Sequence, residues 1–219
     1  MRSQICLIRH GKTVGNVRKL YYGKTDVPLA EEGMDELKAQ NEKGIYPKSD
    51  YCQIMTTGLI RTVQTKDIIY GDHPYGVIED LQEINFGEFE MKSYEQLLEN
   101  ADYRDWITAE DLDKVPPGGE SIRQFNHRVI RGYETLREAH RAFRVQGSGE
   151  GATASAGEKF SQASSTPLTV VICHGGTISA IMDHIYPGVH DNMYGWIPDP
   201  GHGYLLTLEE EEIADCEEF

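Results

Sequence analysis

The sequence predicts an α/β fold, a three-layer sandwich with a mainly parallel central sheet and helices on both faces. Short apolar runs, which are typical of buried parallel strands, alternate with segments of helical periodicity. The first run, residues 4–8, ends at a charged turn that contains glycine, and the clearest run, residues 168–173, ends in the same way. Because strands and helices alternate along the chain, we expect helices to cover both faces of one sheet.

Each predicted element has a recognisable start, end or periodicity. Gly44 ends the first predicted helix, and Ser93 and Ser121 each begin a helix with a capping box, in which Gln follows three residues later. The helix after Ser121 is the longest, with apolar residues at helical spacing as far as Phe143. In chain order, we predict strands at residues 4–8, 51–56, 76–79, 168–173 and 204–208, and we expect the last of these to lie at an edge of the sheet. We predict helices at residues 30–43, 59–70 and 177–185, and two further helices that begin at Ser93 and Ser121.

We expect residues 1–219 to form a single domain with two atypical segments. Residues 146–166 contain 13 Gly, Ala or Ser among 21 positions, so this segment is predicted to be a flexible surface loop, with a functional lid as the alternative. Residues 209–219 hold seven acids and no base, which predicts an acidic C-terminal tail.

Charge and composition exclude several classes of partner. The net charge of -15 argues against non-specific binding to nucleic acid or to an anionic membrane. Residues 1–25 nevertheless hold six Lys or Arg and no acid, which suits a small anionic ligand, although a basic surface face is the alternative. Four widely spread cysteines, no expected signal peptide and no long apolar run predict a cytoplasmic protein.

Two His-Gly pairs directly follow predicted strands. Arg9 and His10 come after the first strand, and His174 comes after the strand at 168–173 and opens a helix. Because parallel strands end at one edge of a sheet, we expect both imidazoles there, beside a helix N-terminus that suits phosphate. A solvated strand end for His10 and a simple capping turn for His174 are the alternatives.

Two further charged residues complete the predicted site. Arg61 begins a helix, where a cation opposes the helix dipole and therefore needs an anion; a surface salt bridge is the alternative. Glu83 follows the third strand, but spacing alone does not select it over its acidic neighbours Glu79, Asp80, Glu88 and Glu90.

With these motifs the sequence resembles the histidine phosphatase superfamily, in its phosphoglycerate mutase-like branch. The family pattern Arg-His-Gly-x-Thr-x-x-Asn is met in full at residues 9–16, and the other blocks follow in family order to about residue 185. Ala30, Thr57-Gly58 and Met91 depart from the family pattern without removing a catalytic group. The matching residues of those other blocks are Gly23, Asp26, Pro28, Leu29, Gly33, Arg61, Glu83, the segment 117–121, His174 and Gly175.

The resemblance implies a phosphohistidine mechanism. His10 would attack phosphorus, and Glu83, held protonated, would protonate the leaving oxygen and then take a proton from water. No spacing implies a metal site, and no cofactor is expected. The implied phosphate-binding residues are Arg9, Thr13, Asn16, Gly23, Arg61, His174 and Gly175.

A metal-independent phosphomonoesterase is therefore the predicted function, with a small phosphorylated metabolite as substrate and inorganic phosphate as product. A phosphoglycerate mutase is the alternative, but relatives of that kind carry a basic segment where residues 91–115 hold seven acids and three bases, and tend to have Asn in place of Gly176. A non-catalytic binding module is a remote alternative, since it would be expected to have lost His10, Glu83 or His174. The sequence leaves the identity of the phosphoester and the oligomeric state open.

Overall fold

The structure, a computed structural model, describes residues 2–147, 166–192 and 194–219. Of the loop predicted over residues 146–166, only residues 146, 147 and 166 belong to the described part of the chain. None of the helices in these three ranges is long and apolar enough to cross a membrane.

Six strands form one sheet, in the spatial order third, second, fourth, first, fifth, sixth. The first four strands pair in parallel, and the last two pair antiparallel at one side, so the predicted mainly parallel sheet is confirmed. The strands are β1 (Arg2–Arg9), β2 (Cys52–Thr56), β3 (Tyr75–Val77), β4 (Leu168–Cys173), β5 (Gly203–Glu209) and β6 (Glu212–Glu218).

Helices cover both faces of the sheet. Successive strand residues point to opposite faces, so each strand contributes side chains to both cores. Ile5 and Leu7 of β1 pack in one apolar core and Cys6 and Ile8 in another, which gives the three predicted layers. The helices are α1 (Val14–Val17), α2 (Glu31–Glu42), α3 (Ile60–Tyr70), α4 (Tyr94–Leu97), α5 (Ala101–Ile107), α6 (Ile122–Gly147) and α7 (Gly175–Ile185).

The predicted helix starts agree closely with the structure. Ser93 and Ser121 each accept a hydrogen bond from the backbone N–H three residues later, and the Gln at that position bonds back, as a capping box requires. Ala30 precedes α2 without a side-chain hydrogen bond. Local side-chain chemistry therefore accounts for the helix starts at Ser93 and Ser121, but not for the start of α2.

The prediction of an acidic C-terminal tail over 209–219 is wrong. Most of this segment is β6, which pairs with β5, so the strand predicted at 204–208 is internal and β6 forms the edge. Ile213 and Cys216 pack against the core, and Arg141 of α6 forms an ion pair with Glu211 in the turn before β6. Apolar contacts thus order an acidic segment, and its exposed charges discourage pairing with another strand.

Candidate active site

The two predicted histidines meet at the carboxyl end of the parallel strands. Arg9 pairs with Cys173 across β1 and β4, so His10 and His174 follow neighbouring strands at the same level. Their ring centroids lie 5.2 Å apart, and both side chains are buried. The topology therefore builds the pair of imidazoles that the strand ends predict.

Hydrogen bonding fixes the protonation of His10. Its Nδ1–H donates to the Gly11 carbonyl at 2.7 Å, which leaves Nε2 with a lone pair and no partner among the described residues. Burial, and then the nearby positive charge of Arg61, lower the pKa of His10 well below its usual value. His10 is therefore a neutral imidazole whose Nε2 is available to attack an electrophile.

His174 is held in the complementary tautomer. The Arg61 Nε–H donates to Nδ1 at 3.3 Å, so the proton lies on Nε2 and donates to the Thr57 hydroxyl at 3.0 Å. Burial and the charge of Arg61 lower the pKa of His174 as well. Both ring nitrogens have protein partners, and His174 is not among the residues that line the cavity beside His10.

Arg61 is fully buried, which contradicts the alternative of a surface salt bridge. Besides His174, its guanidinium donates to the carbonyls of Gly23 at 2.5 Å and Thr25 at 3.0 Å, and it lies over the Tyr22 ring at 5.2 Å. These partners are uncharged, and three of its five N–H donors are used. Arg61 therefore brings a positive charge, without a hydrogen-bonded carboxylate among the described residues, and spare donors to the cavity that it lines.

Arg9 supplies a second cation. Its Nη1–H donates to the Pro198 carbonyl at 2.7 Å, while its Nε is buried and has no hydrogen-bond partner within the described chain. The guanidinium packs against Gly175, where an added Cβ would lie 3.2 Å from Nε. A buried donor without a protein partner beside a helix N-terminus is typical of an anion site.

The structure selects Glu83 from the acidic residues near it. Glu83 lines the same cavity as His10, and its carboxylate accepts the N–H of Gly176 at 2.9 Å and of Ile84 at 3.0 Å. By contrast, Glu90 accepts the backbone N–H groups of the turn at residues 23–25. Glu79, Asp80 and Glu88 do not line this cavity.

Arg128 on α6 holds the loop that carries Glu83 in place, a role that sequence reasoning did not predict. Its guanidinium donates to the carbonyls of Asp80, Gln82 and Glu83 and pairs with Glu120 at 2.5 Å. Glu120 in turn accepts the N–H of Asn85 at 2.9 Å.

Tyr22 is a second residue that sequence reasoning missed. Its ring packs closely against Gly15, since a Cβ added there would lie 2.5 Å from the ring. Its hydroxyl donates to the Asn16 side-chain oxygen at 2.8 Å. Thr13 donates to the same oxygen at 2.9 Å, which leaves the Asn16 amide nitrogen as the group available to the cavity. The orientation of Asn16 therefore depends on Tyr22 as well as on the motif.

Thr13 and Gly23 are not among the described residues that line the cavity. Thr13 is fully buried and caps α1 through the backbone N–H of Asn16. The N–H of Gly23 is bound by Glu90, and an added Cβ would lie 1.6 Å from the Ile84 carbonyl oxygen. Both residues support the site by packing and by hydrogen bonds to residues that reach it.

The cavity has a charged end and an apolar end. It encloses about 300 Å³. Among the described residues that line it, the charged or basic side chains are Arg9, His10, Arg61 and Glu83, and the remaining wall is mostly aromatic and aliphatic. No group of three or more His, Cys, Asp or Glu in the described ranges is arranged to hold a metal ion.

The family profile described as histidine phosphatase superfamily (branch 1) matches residues 5–146, more than half of the chain. The chain belongs to the histidine phosphatase superfamily. The match covers His10, Arg61 and Glu83, which lie together in this cavity. The predicted family and the class of enzyme, a histidine phosphatase, are thereby confirmed.

Two kinds of curated relative are similar to this superfamily member. The adenosylcobalamin/alpha-ribazole phosphatase of Escherichia coli K12 is 29% identical over 139 residues, which are 62% of this chain and 67% of the relative. A 2,3-bisphosphoglycerate-dependent phosphoglycerate mutase of Rhizobium etli is 27% identical over 134 residues, 58% of this chain and 64% of the relative. The matches thus span about two thirds of the length of these relatives.

Solved structures with low sequence identity share the fold. A putative alpha-ribazole-5'-P phosphatase from Escherichia coli K-12 superposes with a TM-score of 0.74 at 20% identity, covering 99% of this chain and 94% of the other. The alpha-ribazole phosphatase from Shigella flexneri gives 0.73 at 21% identity, covering 95% and 92%. The predicted phosphoglycerate mutase-like fold is therefore confirmed.

We predict that His10 remains a competent nucleophile below pH 6.5. Its lowered pKa keeps the imidazole neutral there, so the rate of His10 phosphorylation should fall only as pH drops through that lowered pKa. Single-turnover rates between pH 8 and pH 5, together with NMR titration of the His10 ring, measure this. A midpoint near 6.5 in the His10 resonances would contradict it.

We also predict that Gly176→Ala displaces Glu83. A Cβ at this position would lie 2.4 Å from the Glu83 Oε1, so the carboxylate must leave the Gly176 N–H. The kcat/KM for an alkyl phosphate should fall by ~10-fold or more, since the proton donor is misplaced. Inhibition by inorganic phosphate is the control and should change little; equal losses in both would show a general collapse of the site.

Proposed function

We propose that this chain hydrolyses a small phosphomonoester, without a metal ion, through a phosphohistidine on His10. One observation carries the proposal: the Nδ1–H of His10 is committed to the Gly11 carbonyl, so the neutral Nε2 is free in a cavity that Arg9 and Arg61 make positive. A neutral imidazole nitrogen beside two guanidinium groups is suited to attack on a phosphate dianion.

The phosphoryl group is held by fixed donors. Arg9 and Arg61 offer the guanidinium N–H groups that their protein partners leave free, while the Asn16 amide and the backbone N–H of Gly175 at the start of α7 add neutral donors. Planar guanidinium groups match phosphate oxygens and stabilise the charge on them in the transition state. His174 contributes through Arg61, whose Nε it fixes.

The reaction consists of two displacements. In the first, the His10 Nε2 forms a bond to phosphorus, the bond to the ester oxygen breaks, and protonated Glu83 gives its proton to that oxygen. In the second, water attacks phosphorus while Glu83 takes a proton from it, the N–P bond breaks, and inorganic phosphate leaves. His10 regains its lone pair and keeps its Nδ1 proton throughout.

A phosphoglycerate mutase is the alternative, because several relatives carry that name. The cavity argues against it. Beyond Arg9, His10, Arg61 and Glu83, the described lining has no charged side chain that could hold the second phosphate of a bisphosphorylated intermediate. The close approach of Gly176 to Glu83 also excludes the Asn that is typical of mutases, unless Glu83 moves.

A non-catalytic binding module is disfavoured by the intact set of His10, Glu83 and Arg61 in one cavity. The proposal includes a phosphorylated metabolite as substrate and no nucleic acid or membrane partner, which the net charge of -15 supports. It also includes a cytoplasmic setting, which the four unpaired cysteines support.

His10→Ala should abolish turnover, since no other nucleophile replaces Nε2. Wild-type protein incubated with a labelled phosphomonoester in excess chelator and stopped in alkali should carry acid-labile label on His10, whereas the variant carries none. Label on a Ser or Asp would refute the phosphohistidine, and label that requires a divalent ion would refute metal independence.

Glu83→Gln should slow the first step according to the leaving group. A sugar phosphate needs a proton on its departing oxygen, so phosphorylation of His10 should slow by ~100-fold or more, whereas p-nitrophenyl phosphate should be affected far less. Single-turnover measurements isolate this step.

Glu79→Gln and Glu88→Gln are the matched controls for this prediction, because both carboxylates are near in sequence but outside the cavity. They should show no dependence on the leaving group. Equal slowing of both substrates by Glu83→Gln would reduce Glu83 to a structural role.

A further inference from the structure

The apolar end of the cavity opens directly from the phosphate end. Tyr21, Phe86 and Trp106 form one wall, with ring centroids 5.3 Å apart for Tyr21 and Phe86 and 6.0 Å for Phe86 and Trp106. The rest of the apolar lining includes Ile122 and Phe125 at the start of α6 and Ile197 between α7 and β5. A ligand held at His10 therefore extends into aromatic and aliphatic surroundings.

The wall is fixed by its own packing. The Tyr21 hydroxyl is hydrogen bonded to the Tyr103 hydroxyl at 2.7 Å, so Tyr21 presents its ring and not its polar group. The Trp106 ring centroid lies 5.6 Å from that of Phe89, which precedes α4, and 6.0 Å from that of Tyr103, which is also on α5. The aromatic surface is thus held in place and needs little rearrangement to receive a ligand.

Tyr21, Phe86, Trp106 and Ile122 are nevertheless only partly buried, so some of their apolar surface faces the cavity. Covering that surface with an apolar group is favourable, whereas placing a carboxylate or a second phosphate against it strips the anion of water without supplying a partner. The wall therefore separates substrates by the polarity of the alcohol portion.

We propose that the substrate is a phosphomonoester whose alcohol portion is a flat, uncharged apolar group, bound against Tyr21, Phe86 and Trp106. This inference rests on the proposed function, because it takes the phosphate to lie at His10. It goes further by assigning the remaining cavity to the leaving group. Aromatic rings recognise flat groups by stacking and edge contacts, without the need for a specific hydrogen bond.

The first measurement compares esters of similar leaving-group basicity. Naphthylethyl phosphate should exceed ethyl phosphate in kcat/KM by at least ~10-fold, through the apolar area that it buries, and should exceed phosphoglycerate by more. Equal values for naphthylethyl and ethyl phosphate, or a preference for phosphoglycerate, would overturn the inference.

Variants of the wall locate the effect. Trp106→Ala and Ile122→Ala, which come from different elements, should each reduce kcat/KM for naphthylethyl phosphate by ~10-fold and for ethyl phosphate by less than ~2-fold. Tyr75→Ala, an exposed aromatic outside the cavity, is the matched control and should change neither. Equal losses on both esters in both wall variants would assign these residues to stability alone and refute the subsite.

Binding distinguishes a failed subsite from a failed phosphatase. Naphthylpropyl phosphonate, which cannot be hydrolysed, should bind wild-type protein at least ~10-fold more tightly than propyl phosphonate, and Trp106→Ala should remove the difference. Such binding without hydrolysis of any ester would refute the proposed function and support the subsite. Hydrolysis of esters together with equal affinities for the two phosphonates would support the proposed function and refute the subsite.

Discussion

The site depends on burying the positive charge of Arg61 with hydrogen-bond partners that are uncharged. Removal of a guanidinium from water is costly, and here the compensation comes from the carbonyls of Gly23 and Thr25, from His174 and from the face of Tyr22. None of these partners cancels the charge. Burial, and then this same charge, lower the pKa of both His10 and His174 and so keep them neutral.

The turn at residues 23–25 is arranged to serve Arg61. The Glu90 carboxylate accepts the backbone N–H groups of this turn. The carbonyls of Gly23 and Thr25 in the same turn face the Arg61 guanidinium. Gly23 lies so close to the Ile84 carbonyl that no side chain fits, which ties the turn to the loop that carries Glu83. Arg128 holds that loop from the other side. The position of the proposed acid and that of the buried cation are therefore coupled through backbone contacts.

The sequence predicts those parts of the site that follow from strand ends. His10 and His174 converge because parallel strands end at one edge, and local capping chemistry sets the helix starts. Tyr22 and Arg128 could not be predicted, since their roles arise from contacts between segments distant in sequence. The strand β6 was missed because its acids dominate the composition, while the contacts of Ile213 and Cys216 that order it are visible only in the fold.

Charge acts on different length scales in this protein. The chain carries a net charge of -15, and residues 91–115 hold seven acids against three bases, so the overall field repels anions. Exposed charges are screened beyond about 8 Å at physiological ionic strength, whereas Arg9 and Arg61 act on a ligand at contact and from buried positions. A single phosphate can therefore gain more from the two guanidinium groups than it loses to the distant acids. Apart from Arg9 and Arg61, the described lining of the cavity holds no Lys or Arg, so additional anionic groups on the same ligand would meet its apolar wall without a cation to offset them, which supports the proposal of a monoester as substrate.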